Sequence, residues 1–261
     1  MAVAPNANFP SSRPNWYRFR VSTGWLIHVF KMATRRDHDD LLPALMPLLA
    51  RDAVVIDVGA HGGQFARLFS TMVPDGRVVA VEPSGYARSI LRVVAWLHGL
   101  NNVLIIAAAL GSSPGVAILR TPLKRRGDVG YGLSSLRLGE RDDRPQLWEA
   151  VAVVSLDQLV AALELARVDL IKADIEGFEP ELISGGRLTL QRHRPALLLE
   201  MDQARLAVFG FELDLFWAEL EELGYRPYRI PSRGHPTPHL SGPVTGDILW
   251  LHSMGPVQGL S

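Results

Sequence analysis

The stretch VVIDVGAHGG, residues 54–63, decides the fold of this chain. Four of its first five residues are apolar and β-branched, which is typical of a strand buried on both faces. The glycines after this run predict a tight turn. The apolar residues of 65–73 then recur at the i, i+3, i+4, i+7 spacing of an amphipathic helix. The stretch therefore predicts a buried strand, a turn and a crossover helix.

The same alternation of strand and helix continues along the chain. The predicted strands span 54–58, 77–81, 103–107, 168–173, 195–200, 225–230 and 247–252, and the predicted helices span 65–73, 86–98, 156–163 and 212–223. Ser155 and Gln158 fit a capping box at the start of one helix. This order predicts an α/β fold with a mostly parallel sheet, helices on both faces and a late antiparallel hairpin.

Residues 111–150 interrupt this order, because glycine, proline and charged residues are dense there, and within them we expect an excursion loop from Arg120 to Arg144. The part from Arg120 to Arg144 carries seven Arg or Lys residues against four Asp or Glu. Such a basic stretch could face an anionic substrate or water, and the sequence leaves both interpretations open.

Composition excludes several classes of protein. The 261 residues are 48% apolar and 21% charged, which is typical of a globular chain with one large domain. Because 27 basic residues balance 27 acidic residues, no nucleic-acid partner is expected. The absence of cysteine rules out disulfides, thiolate metal sites and cysteine nucleophiles.

The chain carries no sequence signal for a membrane span. Its longest apolar run, residues 103–110, has eight residues, whereas a spanning helix needs about 20. The first residues also lack the basic and apolar regions of a signal peptide. We therefore expect a cytoplasmic protein, with peripheral contact at the inner membrane face as an open alternative.

Residues 1–37 form a basic and aromatic arm that precedes a main domain at 38–261. Residues 1–36 hold six Arg or Lys residues, no acidic residue and several aromatic residues. This composition is typical of a helix that lies on an anionic membrane surface. The favoured interpretation is an arm packed on the main domain or on a second subunit, as in a homo-oligomer.

The first chemical motif joins the glycine turn to a carboxylate on the next strand. A glycine turn lets a ligand approach the backbone, and Glu82, 25 residues after Asp57, is placed to accept hydrogen bonds from a ribose diol. The spacing from Gly59 is G-x-x-G-G rather than the G-x-G-x-x-G of dinucleotide sites. An acid at Asp57 suits a cationic ligand, so S-adenosylmethionine is the expected cofactor. A tight turn without a ligand is the alternative.

The second chemical motif is the charged string at residues 171–179. The string lies at the carboxyl end of an apolar strand, on the same edge of the sheet as the first motif. It contains four charged residues: Lys172, Asp174, Glu176 and Glu179. Charges at such a place are costly to bury unless they are paired. We expect Asp174 to face cofactor and substrate. The alternative is a salt-bridged turn that opens a helix at Phe178.

These residues resemble the FkbM family of S-adenosylmethionine-dependent methyltransferases. The resemblance covers about residues 38–252 and rests on VIDVGAHGG at 55–63, AVEPS at 80–84, LIKADIEGFEPELISGG at 170–186 and PALLLEMD at 195–202. Residues 132–135 and 153–157 also resemble family positions. The resemblance implies a Rossmann-like class I methyltransferase fold. It also implies transfer of a methyl group to a hydroxyl of a sugar, a glycan or a secondary metabolite.

The resemblance also implies positions around the cofactor. The methionine and adenosine side would be lined by Asp57, Gly59, Ala60 and Gly63. Glu82 would lie at the ribose, and Ala109 would lie beside the adenine. His61 lies within the same turn, where the family commonly has Asn, and Gly62 stands where an aliphatic residue is usual.

An alcohol acceptor needs a general base, and the charged string supplies the candidates. Asp174 is the first candidate and Glu176 the second, while Lys172 could orient a carboxylate or bind a substrate oxygen. Glu200 and Asp202 extend the acidic rim, but no spacing is specific enough to predict a metal. His61 is a further candidate base; the scattered histidines His98, His193, His235 and His239 are more often fillers.

Three other functions remain as alternatives. One is a scaffold that binds the cofactor without catalysis. Another is an NAD-dependent oxidoreductase, which the missing G-x-G-x-x-G motif disfavours. The most distant is a nuclease or phosphotransferase built on Asp174, Glu176 and Glu200. The acceptor itself is not identified; the basic segments suggest an anionic or lipid-linked glycan at the inner membrane surface.

Overall fold

A computed structural model describes residue 16 and residues 18–122, 146–231 and 235–255 of the chain. Three sequence predictions fall wholly or mostly outside these residues. They are the beginning of the arm, the basic stretch from Arg120 to Arg144 and the family-like positions 132–135.

The described residues alternate between helices and strands. The helices are α1 (Thr23–Thr34), α2 (Leu42–Leu45), α3 (Gln64–Met72), α4 (Gly85–Leu97), α5 (Leu156–Ala162), α6 (Glu179–Ser184), α7 (Arg187–His193), α8 (Gln203–Val208) and α9 (Leu213–Glu222), with short 3-10 turns at Asp39–Leu41 and Met46–Leu48. The strands are β1 (Val54–Val58), β2 (Arg77–Val81), β3 (Val103–Ile106), β4 (Ala109–Leu110), β5 (Gly115–Pro122), β6 (Gln146–Val154), β7 (Leu170–Ala173), β8 (Ala196–Met201), β9 (Tyr225–Arg229), β10 (Thr237–Pro238) and β11 (Gly246–His252).

The main sheet has the order β10-β9-β11-β8-β7-β1-β2-β3. Five neighbouring strands of this sheet, β8, β7, β1, β2 and β3, pair in parallel. Strand β11 runs antiparallel to both β8 and β9. The chain moves outward from β1 to β3 and then returns to β7 on the other side of β1. This reversal opens a crevice between the carboxyl ends of β1 and β7, which is where α/β folds bind ligands. The predicted mostly parallel sheet and late antiparallel pair are confirmed.

Strand β1 is apolar except for Asp57, because both of its faces are covered. Its side chains alternate, so that Ile56 and Val58 join one buried cluster while Val55 joins the other. Phe69 of α3 and Leu91 of α4 pack into the cluster that contains Val55. The two cores together fix the end of β1 against its neighbours.

The expected loop from Arg120 to Arg144 is wrong at its first residues, because β5 continues to Pro122. Strands β5 and β6 pair antiparallel, from Gly115 opposite Val153 to Pro122 opposite Gln146, and with β4 they form a second, three-stranded sheet. Only part of this sheet is buried, as at Leu119 and Val151. The apolar alternation is therefore weak, and the glycines and charges between the strands hide it.

Helix α1 packs on α4 of the same chain. Trp25, Val29 and Met32 are buried in a cluster with residues of α4. The Trp25 indole Nε1 also donates a hydrogen bond of 2.8 Å to the Ser89 hydroxyl. The helix of the arm thus packs on the main domain, as the favoured interpretation expects. The domain boundary at residue 37 stays a prediction. Within the described ranges, no helix has the length and apolar character that crossing a membrane requires.

The predicted capping box at the start of α5 is confirmed, and it gives a test of local stability. The Ser155 hydroxyl accepts a hydrogen bond from the Gln158 backbone N–H, and the Gln158 side chain accepts one from the Ser155 N–H, each at 3.1 Å. Ser155→Ala removes the first bond, so we expect a loss of about 1 kcal/mol in the free energy of unfolding, measured by urea denaturation. An unchanged free energy would contradict the capping role.

Candidate functional site

A pocket of about 230 Å³ opens at the crevice between β1 and β7. It is lined by His38, Gly59, Ala60, His61, Gln64, Phe65, Lys172, Asp174, Glu176, Glu200 and Arg205. The two sequence motifs, more than 100 residues apart, thus meet in one cavity. Six of the predicted site residues are among its walls: Gly59, Ala60, His61, Lys172, Asp174 and Glu176.

The other predicted cofactor residues lie behind or beside this pocket. Asp57 is completely buried beneath it, and Glu82 is almost fully buried at the end of β2. Gly63 stands at the start of α3. Ala109 lies in β4 and packs in a small cluster with Leu119 and Val151. Contact of these four residues with a cofactor therefore stays a proposal.

The turn after β1 is shaped by how closely the ends of β1 and β7 approach each other. Gly59 has a φ of 72°, and a Cβ atom there would stand 2.1 Å from the Asp174 carbonyl oxygen. Gly63 has a φ of 91°, and its Cβ would meet Leu91 Cδ1 at 2.4 Å. His61 also lies in the left-handed region, with a φ of 47°. The two glycines are thus required by both conformation and space.

The carboxylate of Glu82 is bound to this turn. Its Oε2 accepts a hydrogen bond of 2.9 Å from the His61 N–H, and its Oε1 accepts one of 2.8 Å from the Ser84 N–H. The Arg88 guanidinium donates to the Glu82 carbonyl oxygen. Each carboxylate oxygen has a second lone pair, so the group can still accept two hydroxyl hydrogen bonds.

Lys172 is a buried cation at the centre of the crevice. Its Nζ lies 3.4 Å from Asp57 Oδ1 and 4.0 Å from Asp174 Oδ2, and it donates to the Gly59 carbonyl oxygen at 3.2 Å. It also stands 4.8 Å from the centre of the Phe65 ring. Burial raises the pKa of Asp57, and the Lys172 ammonium opposes that rise. The ion pair therefore holds two charges under the pocket floor.

Arg205 of α8 contacts several carboxylates in the wall of the pocket. Its guanidinium contacts the Glu200 carboxylate and lies 3.0 Å from Glu176 and 3.8 Å from Asp174. Asp202 caps α8 by accepting hydrogen bonds from the Ala204 and Arg205 N–H groups. Sequence reasoning missed Arg205; the usable signal was a capping Asp directly after a strand, with Arg three residues later.

The pKa values of Asp174 and Glu200 are shifted in opposite directions. Burial and the neighbouring Asp174 raise the pKa of Glu200. Burial also acts to raise the pKa of Asp174, but Lys172, His61, a hydrogen bond with Glu200 and Arg205 together lower it. When the two carboxyls hold one proton, that proton resides on Glu200. Asp174 is then the ionised partner that faces the pocket.

The turn after β7 is closely packed. Glu176 and Gly177 have φ angles of 61° and 98°, and a Cβ on Gly177 would meet the Arg205 backbone at 2.4 Å. The buried Glu179 carboxylate accepts a hydrogen bond of 3.0 Å from the Ile175 N–H, and burial raises the pKa of Glu179 to about 7. The salt-bridged turn that opens a helix at Phe178 is thus present, and a functional role of its charges stays a prediction.

Two histidines reach the pocket, and sequence reasoning named only one of them. His61 lies in the wall with His38, whose ring stacks on Phe65 at 4.1 Å. Burial and the Lys172 charge lower the pKa of His38. The remaining candidates, His98, His193, His235 and His239, are not among the lining residues. In the part of the chain that the structure describes, no group of three or more acidic or histidine side chains is arranged to hold a metal.

The sequence model of the methyltransferase FkbM domain matches residues 57–227, which is more than half of the chain. The chain belongs to the FkbM methyltransferase family. The match begins at Asp57 in β1 and includes both charged walls of the pocket. The resemblance that the sequence motifs indicated is confirmed.

Solved structures with a similar fold are distant in sequence. An FkbM methyltransferase from Methylobacillus flagellatus is 16% identical, with a TM-score of 0.49, over 85% of this chain and 48% of that one. A SAM-dependent O-methyltransferase from Thermotoga maritima is 14% identical, with a TM-score of 0.46, over 87% and 71%. The O-methyltransferase TomG from Streptomyces achromogenes, in complex with SAM, is 13% identical, with a TM-score of 0.44, over 89% and 81%.

The chain spans about half the length of the Methylobacillus protein. A search of curated proteins gives no significant match.

Replacement of Gly59 tests the close approach of β1 to β7. Gly59→Ala places a methyl group against the Asp174 carbonyl in a left-handed conformation, so we expect a loss of about 2 kcal/mol or more in unfolding free energy. Gly115→Ala is the control, because a Cβ there meets nothing within 4 Å. Equal urea midpoints for the two variants would contradict the predicted crowding.

Removal of Lys172 tests the buried pair. Lys172→Met leaves the Asp57 charge unpaired and is expected to cost about 3 kcal/mol, while adding Asp57→Asn recovers part of that loss. A strictly additive double-mutant cycle would contradict the pairing.

The stability of the Lys172→Met variant is also expected to depend on pH. Without Lys172, the folded-state pKa of Asp57 rises further above its ordinary 3.8, so the folded protein holds the proton more tightly than the unfolded chain. Stability then falls as pH rises through the window between these two pKa values. We expect the deficit of Lys172→Met against the wild type to be smaller at about pH 5 than at about pH 8.

Proposed function

We propose that this chain is an S-adenosylmethionine-dependent O-methyltransferase whose acceptor is a hydroxyl of a sugar, a glycan or a small secondary metabolite. The observation that carries the proposal is the pocket itself, where the glycine turn and the ionised Asp174 face each other across the end of β1. Membership of a methyltransferase family supports the reaction class. The hydroxyl acceptor rests on the chemistry of Asp174.

The residues around the pocket fit S-adenosylmethionine. The second lone pairs of the Glu82 carboxylate suit the two ribose hydroxyls, and the glycine turn brings the backbone of Gly59 and Ala60 to the pocket wall. The carboxylates of Asp174 and Glu176 favour the positive sulfonium and ammonium groups. When bound, the cofactor supplies an electrophilic methyl group on sulfur.

Asp174 is the group best placed to accept the proton of an acceptor hydroxyl. Its carboxylate faces the pocket, and Lys172 beneath it favours the ionised form. A carboxylate within hydrogen-bond distance of a hydroxyl orients the oxygen and receives its proton as the new bond forms.

Glu176 is less suited to this task, because its carboxylate lies 3.0 Å from the Arg205 guanidinium. Because the Glu176 carboxylate is engaged in this ion pair, it stabilises the pocket wall and is less available to accept a proton. We therefore assign Glu176 and Arg205 to shaping the acceptor side, with Lys172 as the residue that positions Asp174. This refines the order of candidates that the sequence suggested.

Cofactor binding is tested by titration calorimetry with S-adenosylhomocysteine. Glu82→Gln keeps the shape of the side chain but turns one acceptor oxygen into a donor, so we expect affinity to fall by about tenfold or more. Glu149→Gln is the matched control, since Glu149 also accepts a backbone hydrogen bond, but from Gly85 at the start of α4 rather than from the glycine turn. No binding by the folded wild type would contradict the proposal.

Turnover is tested with Asp174→Asn. This variant is expected to keep the affinity for S-adenosylhomocysteine within a few-fold, while methyl transfer falls by about 10²-fold or more through loss of the base. The assay follows release of S-adenosylhomocysteine during incubation with a panel of sugars and hydroxylated metabolites. Unchanged turnover in the variant would contradict the assignment of Asp174. Cofactor binding by the wild type with no turnover on the whole panel would favour the scaffold alternative.

A further inference from the structure

Helix α1 is apolar on two opposite sides. The inner side, Trp25, Val29 and Met32, is buried against α4. The outer face, which we define as Leu26, Ile27 and Phe30, is 53%, 49% and 68% exposed. A helix that is apolar all round normally has both sides covered. The contact with α4 explains the inner side alone.

The surroundings of the outer face are basic. Residues 16–36 contain no Asp or Glu, and Arg18, Arg20 and Lys31 are exposed near the two ends of the helix. Arg35 and Arg36 follow the helix, where they approach Asp37 at 3.9 Å and Asp39 at 2.5 Å. An apolar strip bordered by cations is complementary to a surface that is apolar inside and negative at its rim.

This charge pattern disfavours a second copy of the chain as the occupant. In a two-fold symmetric dimer, each outer face would meet its own copy, and the same cations would approach one another. No acidic residue of the segment is available to pair with them. Like charges brought together in this way oppose association.

We propose that the outer face of α1 binds the surface of an anionic lipid bilayer. Leu26, Ile27 and Phe30 enter the boundary between headgroups and acyl chains, while Arg18, Arg20 and Lys31 contact lipid phosphates. Phe19, which is exposed and packs edge-on against Trp25 with ring centres 5.8 Å apart, extends the apolar surface. The helix lies along the membrane and does not cross it.

The helix is fixed to the domain close to the pocket. Arg67 of α3 donates hydrogen bonds to the carbonyl oxygens of Ala33 and Arg35, and the chain then reaches His38 in the pocket wall. The C-terminal end of α1 therefore leads directly to the pocket wall at His38. This placement suits an acceptor that is itself anchored in the membrane, although lipid binding does not depend on the proposed methyl transfer.

The test is co-sedimentation of the purified chain with vesicles of phosphatidylcholine, either alone or mixed with phosphatidylglycerol. The test variant is Leu26→Glu/Phe30→Glu. The matched control is Leu188→Glu/Leu215→Glu, which makes the same charge change at residues of α7 and α9 that are 69% and 67% exposed. Thermal melting of each variant establishes that it is folded, and sedimentation velocity gives its oligomeric state.

We expect the wild type to bind vesicles that contain phosphatidylglycerol, with affinity that falls as salt is added. The α1 variant should bind about tenfold more weakly or worse, while the control variant keeps most of the binding. The proposal is overturned if the wild type does not bind, if the control loses as much as the α1 variant, or if the wild type is a dimer that the α1 variant dissociates.

Discussion

The ion pair between Lys172 and Asp57 is the interaction on which the site depends. The two residues stand opposite each other in the register of β7 and β1, at the point where the strand order reverses. Because both are buried, removing either one would leave an unpaired charge in the core. The same proximity brings the Asp174 carbonyl against Gly59, so the strand ends, the glycine turn and the pocket floor form a single packed unit.

The groups that would bind the cofactor and the groups that would bind the acceptor lie on two sides of this unit. On the β2 side, the backbone of the turn holds Glu82 through the His61 N–H, which fits the recognition of a ribose. On the β8 side, Arg205 contacts the carboxylates of Glu176 and Glu200, and the pKa of Asp174 is lowered while that of Glu200 is raised. The buried Lys172 beside Asp174 and the half-buried Arg205 among the other carboxylates thus favour an ionised Asp174.

The features that the sequence predicted well are local. Strand β1, its turn and the α5 capping box are encoded by residues close together in the chain, and each is present. The pairing of β5 with β6, the inclusion of Arg205 and His38 in the pocket, and the burial of Asp57 beneath it were not predicted. Each depends on which distant segments meet, and the pattern of a single segment carries no such information.

In the proposed function, the carboxyl edge of β1, β2 and β7 holds S-adenosylmethionine. The decisive measurement is an experimental structure of the chain with S-adenosylhomocysteine bound. We expect the ribose hydroxyls on the Glu82 carboxylate and the sulfur beside the turn from Gly59 to Gly63, facing Asp174. A ligand bound elsewhere, with the pocket lined by Lys172, Asp174 and Arg205 left empty, would rule out this site.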